Sequence, residues 1–127
     1  LSGNPEATAC GLATLREIQK PGFFDALTAS TRQLVDGLNA AAHASGVPMV
    51  TDCEAGMFGF FFASKLPQNY TQVLATDKAR FNHFFHAMLD RGVYLAPALY
   101  EAGFVSSAHR PDDLLATATA AKQALQS

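Results

Sequence analysis

Apolar positions along the chain follow two rhythms: a three-to-four-residue spacing that predicts helices, and short, nearly continuous runs that predict strands. Asn4-Pro5-Glu6 reads as a helix cap, a proline at the first helical position and an acid in the first turn. A helix is therefore expected from about Pro5 to Gln19, stopped by Lys20-Pro21-Gly22. A second helix starts near Phe23 and carries Leu27, Leu34, Leu38 and Ala41 or Ala42 on one stripe. Gly46 supplies its left-handed stop and Pro48 prevents continuation. Both helices are expected to lay one apolar stripe against a sheet.

Met49–Glu54 and Met57–Phe62, separated by Ala55-Gly56, predict a hairpin. Aromatic residues on both faces of the second strand predict a buried central position, because an outward row of Phe side chains invites association. Ser64–Thr76 has turn chemistry and no period, and reads as an exposed loop. Asp77 caps a helix with Phe81, Phe84, Phe85, Met88 and Leu89, and Gly92 stands at its end. Val93-Tyr94-Leu95 predicts a strand, Ala96–Gly103 a loop and Phe104–Ser107 a short strand. Pro111-Asp112-Asp113 opens the last helix, with Arg110 a poor residue for its cap. The order predicts an α+β fold with helices packed on one side of a small, mainly antiparallel sheet.

At 127 residues the chain forms one domain, and 49% apolar against 16% charged residues is enough to build a core. Nine basic and eleven acidic residues leave a net charge of −2 with no basic run, which argues against a nucleic-acid partner. No apolar run reaches the ~20 residues of a membrane span. Cys10 and Cys53 are too few for a disulfide framework and fit a cytoplasmic location. The start on Leu1-Ser2-Gly3-Asn4-Pro5, without an initiator Met, reads as that of a piece cut from a longer protein.

Few side chains suggest chemistry by pattern alone. His83 and His86 share one helix face, yet no third or fourth ligand stands at a metal-site spacing, so no metal site is expected. Cys10 and Cys53 lack a neighbouring His and read as inert buried thiols. The loop Ala96–Gly103 sets Glu101 beside Tyr100 and Gly103 between two strands. Spacing leaves Glu101 open between a solvated loop carboxylate and a functional group.

Three blocks span the chain: Leu1-Ser2-Gly3-Asn4-Pro5 with the small-residue helix to Leu15, Gly56–Phe62, and Gly92–Pro97 with Tyr100–His109. Together they resemble the C-terminal domain of the glutamate-1-semialdehyde 2,1-aminomutase family, within the fold-type I, class III aminotransferases. The opening block is common to that superfamily, whereas the aromatic-Glu-Ala-Gly-Phe string is closer to the aminomutase. Ala98, where relatives carry Ser, and Arg110, in place of a Thr-like cap, depart from the pattern.

The resemblance implies a C-terminal small domain over residues 1–127, with the large pyridoxal phosphate-binding domain upstream and absent from this chain. It implies isomerisation of glutamate-1-semialdehyde, an amino-aldehyde, to 5-aminolevulinate in tetrapyrrole synthesis, with the cofactor starting as pyridoxamine phosphate. The Schiff-base lysine would lie upstream, leaving no catalytic or cofactor-binding residue here, because Lys20, Lys65, Lys78 and Lys122 match no cofactor-lysine motif. Partners would be the chain's own large domain and the second subunit of a homodimer. Glu101 would lie near the substrate, with Leu1-Ser2 at the opening turn. Two other readings stay open: the small domain of another class III aminotransferase, and a stand-alone α+β ligand-binding or regulatory module.

Overall fold

The computed structural model describes residues 3–127, so Leu1 and Ser2, expected at the opening turn of the site, lie outside the described residues. The elements run α1 (Pro5–Ile18), α2 (Phe23–Ala44), β1 (Val50–Glu54), β2 (Met57–Phe61), α3 (Tyr70–Leu74), α4 (Lys78–Leu89), β3 (Gly103–Phe104) and α5 (Pro111–Leu125). The sheet is antiparallel throughout in the order β1-β2-β3, and the fold is α+β as expected.

Local chemistry sets the helix ends. Asn4 Oδ1 accepts from the Glu6 and Ala7 N–H groups at 2.9 and 3.2 Å, and Asp77 Oδ1 from Arg80 N–H at 2.9 Å. Arg110 brings no acceptor to α5, and Asp113 Oδ2 instead reaches back to the Arg110 N–H at 2.8 Å. Gly46 and Gly92 take φ of 65° and 80°. Beyond them, Val47 N–H donates to Ala42 O and Val93 N–H to Met88 O, each at 3.0 Å, closing α2 and α4 with Schellman motifs.

The second closure corrects the strand expected at Val93-Tyr94-Leu95, which does not form. The Val93 N–H is committed to the helix end, and both edges of β2 are already paired. The last strand shrinks to Gly103–Phe104, with one further bond from Val105 N–H to Gly56 O at 2.8 Å. Ser64–Thr76 is not wholly loop, because Asn69 Oδ1 accepts from Gln72 N–H at 3.0 Å and starts α3.

Register assigns the sheet its two faces. Thr51 pairs with Phe60 and Cys53 with Phe58 on one face, while Asp52 pairs with Gly59 and Glu54 with Met57 on the other. The helices cover the first face. Phe60 and Phe62 meet Phe84 of α4 edge-on, both at 5.5 Å between centroids, and Asn39 of α2 donates to Thr51 Oγ1 at 2.8 Å. Phe84 and Met88 are fully enclosed, each contributing about 1.5–3 kcal/mol of burial. α5 lies on α2, so close that a Cβ on Gly37 would stand 2.7 Å from Ala118 Cβ.

Three burial expectations are corrected. β2 is central, yet its second face is left open, with Met57 exposed and Phe61 half-buried, because the helices pack on one side only. α1 buries no residue and has α2 as its main neighbour rather than the sheet. Its Ala and Gly positions offer little apolar area to reward burial. Cys10 on that helix is accordingly exposed, not buried, and Cys53 is half-buried.

Candidate functional site

The uncovered face of the sheet carries the candidate site. The period of two and the hairpin register send Asp52, Glu54, Met57, Gly59 and Phe61 to that face together. Gly59 keeps its floor low, since a Cβ there would already touch the Phe61 ring at 3.4 Å. Leu66 and Pro67, with Tyr100-Glu101-Ala102, complete the lining of an open cleft of about 290 Å³.

Glu101, the residue singled out in the sequence, lies in this cleft. Its N–H donates to Ala98 O at 3.0 Å, closing a turn after Pro97, and Gly103 then returns the chain to β2. The ring of Tyr100 meets that of Tyr70 from α3 at 6.1 Å between centroids and 67° between planes.

Asp52, Glu54 and Glu101 give the cleft three carboxylates, and no Lys, Arg or His is among its lining residues. The ion pairs found among the described residues lie elsewhere: Lys20 with Glu17, Arg80 with Asp77 and Arg110 with Asp113. Such a lining attracts an ammonium and repels a phosphate. The residues present therefore do not fit pyridoxal phosphate, which needs an amine for its Schiff base and donors for its phosphate. Lys20 is tied to Glu17, and Lys65, Lys78 and Lys122 are exposed, none of them among the residues that line the cleft.

His83 and His86 are exposed on α4, His86 edge-on to Phe85 at 5.3 Å. Among the described residues no group of three or more His, Cys, Asp or Glu is placed to hold a metal ion. Asp52 and Glu54 are cleft residues that the sequence reading passed over. The available signal was the i, i+2 spacing of two acids in a strand, which puts both on one face.

No protein-family model matches the chain. It is 70% identical over 130 residues to a glutamate-1-semialdehyde 2,1-aminomutase of Leptothrix cholodnii, covering 99% of this chain and 30% of that protein. A second aminomutase, from Polaromonas naphthalenivorans, is 69% identical over 121 residues, covering 95% of this chain and 27% of that protein. Among solved structures, an omega-transaminase from Sphaerobacter thermophilus superposes with a TM-score of 0.81 at 23% identity, over 98% of this chain and 28% of its own. The PLP internal aldimine form of the FumI protein from Sphingopyxis sp. MTA144 superposes with a TM-score of 0.72 at 30% identity, over 92% and 25%. The chain spans about three tenths of the length of the curated relatives it matches. Over nearly its whole length the chain is therefore similar in sequence to part of the glutamate-1-semialdehyde 2,1-aminomutases, and in fold to part of an omega-transaminase.

Proposed function

We propose that the chain is the C-terminal small domain of a glutamate-1-semialdehyde 2,1-aminomutase, which moves an amino group within one carbon skeleton to give 5-aminolevulinate for tetrapyrroles such as haem. The observation that carries this reading is the 70% identity over 99% of the chain to such an enzyme. The large domain and the second subunit of a homodimer complete the enzyme, which works in the cytoplasm. They hold the pyridoxal or pyridoxamine phosphate cofactor, which supplies the electron sink when bound.

This chain's part is to hold the amine. Glu101, with Asp52 and Glu54 in the same cleft, offers negative charge to an ammonium group. Phe61, Leu66 and Tyr100 supply apolar walls there, and a wall that displaces water strengthens the charge pair. A species bearing two amines, formed midway through an internal amino transfer, gains most from such a group, because it must stay bound until the second transfer.

The alternative is the small domain of another class III aminotransferase, suggested by the fold likeness to the omega-transaminase. Supplying the full-length protein with glutamate-1-semialdehyde and no other amino acceptor separates the two. The aminomutase reading expects 5-aminolevulinate to form. Turnover only when a keto acid is added would overturn it in favour of the alternative.

A further inference from the structure

We propose that Tyr70 is a positioning residue for the Glu101 turn, a role that rests on the reading of Glu101 given above. Tyr100 lines the cleft, whereas Tyr70 belongs to a different segment of the chain. Tyr70 opens α3, just beyond Leu66 and Pro67, and Tyr100 directly precedes Glu101. Both rings are largely exposed, at 62% and 57%, so they gain little from burial in the core. They nevertheless meet edge-on at 6.1 Å, a geometry in which the positive rim of one ring faces the negative face of the other.

The segment that carries Tyr70 is braced by its own side chains. Asn69 Oδ1 accepts from Gln72 N–H at 3.0 Å, and Gln72 Oε1 accepts from Gln68 N–H at 2.8 Å, so two side chains fix the first turn of α3. The segment that carries Tyr100 has less holding it. Between Pro97 and Gly103 the only backbone hydrogen bond among the described turn and loop contacts is Glu101 N–H to Ala98 O at 3.0 Å. The Tyr70 ring thus transfers the order of α3 to the turn and sets where the Glu101 carboxylate sits over the cleft floor.

The test uses the full-length holoenzyme and two measurements. Hydrogen exchange at the Glu101 amide reports the turn directly, and the ratio of released diamine to 5-aminolevulinate reports the placement of its carboxylate. Loss of one aromatic edge contact should speed exchange roughly two- to tenfold in Tyr70→Ala, with a rise of similar size in released diamine and unchanged cofactor content. Tyr70→Phe keeps the ring and should restore both values. Unchanged exchange in Tyr70→Ala would overturn the proposal whatever the activity does. Faster exchange with an unchanged product ratio, in an enzyme whose ratio does respond to Glu101→Gln, would overturn it too. If Glu101→Gln has no effect on the ratio, the reading of Glu101 fails, and exchange alone decides whether Tyr70 orders the turn.

Discussion

Gly103 lies against the ring of Phe58, its partner across the β2–β3 ladder: a Cβ at position 103 would stand 2.3 Å from Phe58 Cζ. Phe58 is buried on the packed face, so displacing its ring would disturb the packing around it. The absence of a side chain at 103 is what lets the Glu101 turn rejoin the sheet.

Gly103→Ala should therefore lower stability by about 1–3 kcal/mol, as overpacking does. The chemical-denaturation midpoint reads this loss, and a wild-type midpoint would mean that the ring can move after all.

Two helical glycines should respond with opposite signs. A Cβ on Gly11 in α1 meets nothing within 4 Å, so Gly11→Ala should stabilise by up to about 1 kcal/mol through helix propensity. At Gly37 the same gain is outweighed by the 2.7 Å approach to Ala118, since forcing α2 and α5 apart costs about 1–3 kcal/mol. Thermal melts of the two variants should move in opposite directions.

The hairpin turn gives a second opposed pair. Ala55 is held at φ 48°, a left-handed conformation costing an L-residue about 1–2 kcal/mol. Glycine relieves that strain but loses about 0.5–1 kcal/mol in chain entropy, so Ala55→Gly should be neutral to mildly stabilising. Gly56→Ala should destabilise, because its Cβ would stand 2.9 Å from Leu27 Cδ2 and 3.1 Å from Val105 O. Equal midpoints for the two variants would contradict this account of the turn.

What the sequence made legible was whatever local chemistry decides. Asn4-Pro5, Asp77, Gly46 and Gly92 act through their own hydrogen bonds and φ angles, and each ends or begins a helix where expected. The hairpin followed from two strand-like segments around Ala55-Gly56. Longer-range competition was not legible. Val93 has strand character, but its N–H closes α4, and the apolar positions of α1 give no sign that the sheet lies out of their reach. α3 was announced only by Asn69 and, three residues on, Gln72, a cap signal without an apolar stripe to support it. Glu101 could be placed on a loop from its neighbours, whereas its cleft depends on the hairpin register and could not be.

The open surfaces carry their own expectation. Leu12, Leu15, Met57 and Phe104 are exposed, Phe104 at 71%, on α1 and the uncovered face of the sheet. The chain taken alone should self-associate through these surfaces as its concentration rises. Sedimentation velocity would detect it, and a strict monomer at high micromolar concentration would mean that the faces are too polar or too dispersed to pair.

The role assigned to Glu101 is tested most directly by Glu101→Gln in the full-length enzyme, with released diamine and 5-aminolevulinate quantified in a single turnover. The amide keeps the shape of the side chain and removes its charge. An exposed ion pair is worth about 0–1 kcal/mol, and a charge-assisted hydrogen bond out of water about 1.5–3 kcal/mol. The ratio of diamine released to product formed should therefore rise roughly three- to a hundredfold, at about 1.4 kcal/mol per factor of ten, with cofactor content unchanged. A mutant that releases no more diamine than the wild type, and makes 5-aminolevulinate at the same rate, would contradict the account and leave Glu101 a structural residue of its turn.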